Sequence, residues 1–238
     1  MPKSGLILRK GRVANISFYE WKGIPCVRMI GKNIKQTKAT IASAGLFGKA
    51  SSITKTLRTL LSPVIAYPKD LDMQCRFREP LRKCLQAGLL QKGQTSDTVP
   101  FLTGFEFNTR SAINERWKMP WQVSKTENGL LLTIPALNPA EKIVAPAYTQ
   151  SVRCCITAAA VNVNNHSAVG SGSIEINIPY TNTTVEQKQW LPDIPLVKDS
   201  LLVLAVSLKY VVLKKGQEQL VIDKRWMPAG IVWAGWNG

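Results

Sequence analysis

From Val99 onward the chain consists of short β-type runs parted by Pro, Gly and Asn, and this feature limits its fold most. Apolar stretches of about four to eight residues bounded by such breakers read as strands. We expect strands over 101–107, 117–123, 130–135, 152–163, 171–179, 201–213 and 220–225, with a last one over 231–236. The turn Lys214-Lys215-Gly216-Gln217 joins two of them as a hairpin. That many strands in about 140 residues suit an antiparallel β-sandwich of the immunoglobulin-like kind. Trp117, Trp121, Trp190, Trp226, Trp233 and Trp236 all fall here, which places them in the sandwich core and rim. The longest apolar stretch, 201–208 with 211–213, is interrupted by Ser207, Lys209 and Tyr210 and reads as a buried strand. It falls short of the roughly 18–20 apolar residues that a membrane span requires, so no span is expected.

The preceding part is organised differently. Residues 6–9 and 13–19 alternate as strands, a turn falls near 20–23, and 24–30 returns, giving a β-ribbon. A Lys-rich connector follows over 31–38. A helix from about 40 to 61 carries Leu46, Phe47, Ala50, Ile53, Leu57, Leu60 and Leu61 at three-and-four spacing. Gly45 and Gly48 in that pattern suggest the close approach of another backbone, or else a helix that starts only at Leu46. After a turn at Tyr67 and Pro68, a second helix over about 70–90 presents Met73, Phe77, Leu81, Cys84 and Leu85 on one stripe, with a kink or break at Pro80. The small polar stretch 92–98 is the expected domain boundary. The fold class is therefore α+β: a basic ribbon and two helices over 1–95, then a β-sandwich domain over 96–238. A lone ribbon is marginal in water and must pack on the helix, on the later region or on a partner.

Charge is distributed as unevenly as structure. The chain carries a formal net charge of +16. Residues 1–95 hold 18 Lys and Arg against 4 Asp and Glu, whereas 96–238 hold 13 against 11. A cation concentrated in one segment favours a polyanionic partner. In the ribbon and its connector Arg9, Lys10, Arg12, Lys22, Arg28, Lys32, Lys35 and Lys38 are candidate phosphate contacts, and Lys49, Lys55 and Arg58 extend them along the helix. Arg76, Arg78, Arg82 and Lys83 add further charge. Phe18, Tyr19 and Trp21 are candidates to stack on unpaired bases, although closing the ribbon on the helix is the simpler use of Phe18 and Trp21.

Signals for chemistry are few. His166, the one histidine, lies in the polar segment 162–172 with no thiol and no G-x-S-x-G beside it, and reads as a solvated loop residue. Cys26, Cys75, Cys84, Cys154 and Cys155 show no C-x-x-C spacing and read as reduced, mostly core thiols; no metal site is expected. The string 45–52, GLFGKASS, lacks the first half of a phosphate-binding loop and lies within a helical pattern. We therefore expect no cofactor and no enzyme activity.

The strings KGRVANISFYEWKGIPCVR and KNIKQTKATIASAGLFGKASSITKTLR resemble the opening of an uncharacterised family of short basic proteins common in Bacteroidota. The resemblance covers about residues 9–61 and rests on Gly11, Arg12 and Val13, on Trp21, Lys22, Gly23, Ile24 and Arg28, and on the Lys-rich connector and helix that follow. The chain departs from the pattern at Cys26, where an aromatic is usual, and in a connector without Asn-Pro. The resemblance implies a ribbon and helix ahead of a β-rich region, and transfers no catalytic residue.

Together these features point to a non-enzymatic nucleic-acid-associated protein that contacts DNA or RNA backbones non-specifically through the ribbon and helix. The alternative is a structural subunit of a phage-like or other multi-chain particle, self-assembling by strand addition of the ribbon or binding a protein through the sandwich. The expected location is cytoplasmic, or with a virion or particle.

Overall fold

A computed structural model describes residues 10–21, 23–31, 35–65, 70–90, 95–96, 98–126 and 129–238. Two compact units divide the chain, Met1–Ala44 and Gly45–Gly238. The expected strand over 6–9 and the turn at Tyr67 and Pro68 lie outside the described residues, as do Arg9, Lys22 and Lys32.

In the first unit β1 (Gly11–Val13), β2 (Ile16–Trp21) and β3 (Ile24–Met29) form an antiparallel sheet in the order β1-β2-β3. Ala14 and Gly23 adopt positive φ in the two tight connections, as such turns demand. The following helix, α1 (Lys38–Leu60), is capped by Thr37, whose Oγ1 accepts from Thr40 N at 3.2 Å. The boundary between the units falls within α1. No described residue from 10 to 44 is buried.

The second unit continues through α2 (Leu71–Gln86), β4 (Thr95–Ser96), α3 (Ile113–Arg116), β5 (Gln122–Thr126), β6 (Gly129–Ile134) and α4 (Pro139–Lys142). There follow β7 (Thr149–Asn162), β8 (Ala168–Pro179), β9 (Lys188–Trp190), β10 (Ser200–Lys214), β11 (Gln217–Leu220) and β12 (Ala229–Asn237). The main sheet has the order β4-β12-β10-β7-β8, with β11 pairing the far end of β10; β5, β6 and β9 form a smaller sheet.

Both faces of the main sheet are covered. Val161, Leu201, Val203 and Ile231 share a core with Ile53 and Leu57 of α1, with Leu61 just past its end, and with Met73, Phe77 and Leu81 of α2. Cys154, Ile156, Leu202, Leu204 and Val206 share another with Leu130, Leu132 and Ile134 of β6. A strand buried on both faces needs apolar residues at every position rather than at alternate ones. This accounts for the unbroken run at the start of β10, buried throughout 200–208.

The molecule is thus a mixed α and β fold on antiparallel sheets. The strand order does not display the immunoglobulin-like arrangement expected from strand spacing. A small sheet covers one face of a larger one whose other face takes the helices, and strand periodicity alone says nothing of where a helical stripe will dock. The 101–107 stretch is mostly turn and runs irregularly beside β12, bridging it at Glu106 and Gly230. The 117–123 strand starts only at Gln122, with Trp117 as an isolated bridge to Ile143. In place of a strand over 220–225, β11 ends at Leu220 and a short 3-10 turn spans Lys224–Trp226. The 214–217 hairpin forms as expected, with Lys215 and Gly216 both at positive φ. Pro80 lies inside a continuous α2 rather than at a break. Gly45 and Gly48 sit within α1 with open space where a Cβ would lie, so neither a close backbone approach nor a start at Leu46 explains them.

Candidate nucleic-acid interface

The ribbon sheet has two unlike faces, set by its register. Arg12, Ser17 and Arg28 lie side by side across the three strands, Tyr19 faces Cys26, and Trp21 faces Ile24. Cross-strand partners share a face, so two arginines and two aromatics stand together. Tyr19 is 41% exposed and Trp21 63%. The Arg28 guanidinium lies 5.7 Å from the Tyr19 ring centroid, a diagonal cation–π contact that holds both side chains on this face. Arg12 Nε donates to its own turn at Ala14 O, 3.2 Å away. The charge on Arg12 and Arg28 meets no carboxylate in a described ion pair, whereas Lys10 is paired with Glu20 at 3.1 Å.

Phe18 is on the opposite face, so it does not join Tyr19 and Trp21 as a stacking group. Lys35 and Lys38 are exposed in the same unit as the ribbon. Lys38 opens α1, where the first turn holds no acidic residue. A cation beside the positive end of a helix dipole is unfavourable by itself, and an anion there relieves both.

Lys49, Lys55 and Arg58 belong to the second unit. Lys49 and Arg58 are half-buried, and nine residues on a helix of 3.6 per turn places them half a turn apart on either flank of the buried stripe. Arg58 Nε is itself buried with no hydrogen-bond partner in the described structure. Lys55 is exposed.

The arginines of α2 serve the fold. Arg76 donates to Glu106 O at 2.9 Å and Phe107 O at 3.1 Å, tying α2 to the segment beside β12. Arg78 lies 4.1 Å over the Phe47 ring, clamping α2 to α1. Arg82 holds Glu79 through two bonds of 2.9 and 2.8 Å, and this hydrogen bonding pulls the Glu79 carboxyl below its usual range.

Two polar groups were not legible as special in the sequence. His166 is half-buried rather than solvated, at positive φ, with its carbonyl accepting from Thr56 Oγ1 at 2.8 Å. Glu106 is partly buried where α2, α3 and β12 meet. Its Oε1 accepts from Ile113 N at 3.0 Å, and Oε2 is buried with no described partner. Burial pushes its carboxyl up to about 7; Glu115 adds to the rise, while the bond from Ile113 and the charge of Arg76 oppose it.

Among the described residues no cluster of three or more His, Cys, Asp or Glu is arranged to hold a metal ion, and no helix is long and apolar enough to cross a membrane. The chain matches no family model, no curated protein and no solved structure.

Proposed function

We propose that this is a non-enzymatic nucleic-acid-associated protein, cytoplasmic or carried in a particle, whose N-terminal ribbon lies against a phosphate backbone. The observation that carries this reading is the single ribbon face bearing Arg12, Arg28, Tyr19 and Trp21, with Lys35 and Lys38 in the same unit. Cations supply sequence-independent affinity by releasing counterions, and an exposed aromatic stacks on any unpaired base. The aromatics favour single strands over duplex, because duplex bases offer no free π-face. Affinity for random single-stranded DNA or RNA should fall steeply with salt. The double variant Arg12→Ala/Arg28→Ala should lower the slope of log affinity against log salt by roughly 1.5, at about 0.7 per phosphate contact on single strands. Trp21→Ala should weaken single-strand binding by about 1–3 kcal/mol with the salt slope unchanged. A salt-independent affinity, or one indifferent to these substitutions, refutes the reading.

A second reading, a subunit of a phage-like or other multi-chain particle, is favoured by the exposed apolar residues on the other face of the same ribbon.

A further inference from the structure

The arginine-bearing face of the ribbon is not flat. Ser17, Tyr19, Trp21, Cys26 and Arg28 line an open cleft in it of about 570 Å³, within the range of small-molecule sites. Its relief comes from side-chain size: Ser17 pairs with Arg28 and Cys26 with Tyr19, so each row sets a small residue beside a large one. Cys26 is half-buried, and its thiol donates to Ile24 O of the same strand at 3.4 Å, so it floors the cleft rather than filling it. Tyr19 and Trp21 are the walls. They project from one face of β2 two residues apart, about 6.7 Å at the rise of a strand. That gap is about twice the 3.4 Å rise between successive bases, so one flat ring placed between them touches both.

We infer, on the reading of this face as a phosphate contact, that the cleft takes one unpaired nucleobase of a bound single strand, held between Tyr19 and Trp21 and over Cys26. The lining selects the occupant. Among its described residues Arg28 is the one charged group, so ammonium ligands, which aromatic walls otherwise attract, are repelled. Two flat, exposed walls suit a planar ring better than an aliphatic chain. The Arg28 guanidinium backs the Tyr19 ring from the Ser17 end, 5.7 Å from its centroid, and Arg12 stands in the same row. Along the face the groups therefore run from two cations to a ring, a gap and a second ring, which matches the phosphate and base of a nucleotide laid along it. No carboxylate or amide is present among the described lining residues to pair with a base edge, so bases of any kind enter. A duplex keeps its bases stacked on one another and leaves the cleft unfilled.

The test measures binding of the full chain to an oligothymidylate and to an abasic oligomer of the same length and charge. Wild type is expected to bind the base-bearing strand about 5- to 150-fold tighter, the worth of one stacked base. Cys26→Phe fills the cleft and keeps every cation, so it should remove most of that preference while the salt slope stays as in wild type. Alkylation of Cys26 in the native chain needs no variant. Oligothymidylate at about ten times its Kd should slow it about 10-fold, while Cys75, exposed on α2, reacts as before. Thymidine monophosphate, without neighbouring phosphates, should compete only weakly. Equal affinity for the two strands overturns the base subsite and leaves the backbone contacts standing, whereas loss of salt-dependent binding to both strands overturns both. A preference that survives Cys26→Phe, or Cys26 alkylation indifferent to oligothymidylate, puts the base elsewhere and also overturns the subsite. Competition by the mononucleotide equal to that of the oligomer makes a free nucleotide the ligand and overturns the strand assignment.

Discussion

Trp21 and Trp236 are the same residue type in opposite circumstances, and they stand for the two units that contain them. Trp236 is 1% exposed, in the core shared by the sheet and both long helices, and Lys125 Nζ donates to its carbonyl at 2.8 Å. Trp21 is 63% exposed on a sheet without a core. An aromatic in the first setting contributes to stability; in the second it is available to something outside the chain. Truncation should separate the two roles. Trp236→Ala should cost about 3–5 kcal/mol in urea unfolding, through lost burial and the cavity left behind. Trp21→Ala should stay within about 0.5 kcal/mol, as exposed substitutions do. A comparable loss at both sites would erase the contrast.

A second probe concerns how the large unit responds to pH. Glu106 joins three elements: its carbonyl accepts from Arg76 of α2, its backbone bridges Gly230 of β12, and its carboxyl caps the first residue of α3. Its folded-state value of about 7 lies above the ordinary 4.5. The folded chain therefore holds this proton more tightly than the unfolded chain. The corresponding stability is fully present below about 4.5 and is lost as pH rises through about 7. At about 1.4 kcal/mol per pH unit the span corresponds to about 3.4 kcal/mol, which solvent screening of the partly exposed carboxyl reduces to on the order of 2–3 kcal/mol. Glu106→Gln, neutral throughout, should match wild type near pH 4 and exceed it at pH 8 by that order. Denaturation midpoints at both pH values check this. No pH-dependent difference would mean that solvent reaches the carboxylate.

How much of this could be read from sequence depends on the kind of signal. The β7, β8, β10 and β12 segments were legible because long runs such as 201–208 have few soluble alternatives to a buried strand. The Met73, Phe77, Leu81 and Cys84 stripe was legible because helical spacing is strict. Legibility ended where tertiary contacts decide. The stretch around 101–107 looks like a strand, but Gly104 and the close passage of Phe105 and Glu106 along β12 make it an irregular edge. The helices' place on the sheet, and with it the reason β10 is apolar at successive positions over 201–206, is a docking choice with no local signature. At the candidate interface, the basic residues were legible but not their arrangement. Positions 17, 19 and 21 against 16, 18 and 20 sort Tyr19 and Trp21 from Phe18 by simple alternation, whereas only coordinates show that Arg76, Arg78 and Arg82 are engaged within the fold.

The smallest effects come from glycines, and here a single chemical change should have opposite signs. A Cβ at Gly230 would meet Glu106 Oε2 and Phe105 O, each at 2.9 Å. The second is backbone and cannot swing aside, so Gly230→Ala should destabilise by about 1–3 kcal/mol. Gly48, in α1, has nothing within 4 Å of that position. Alanine there loses no contact and removes the entropy that glycine spends in a helix, so Gly48→Ala should stabilise by up to about 1 kcal/mol. Urea midpoints measured side by side resolve the two signs. If Gly48→Ala instead lowers stability while helicity is unchanged, then α1 needs the missing Cβ for a neighbour outside the chain, and binding or self-association should weaken in the same variant.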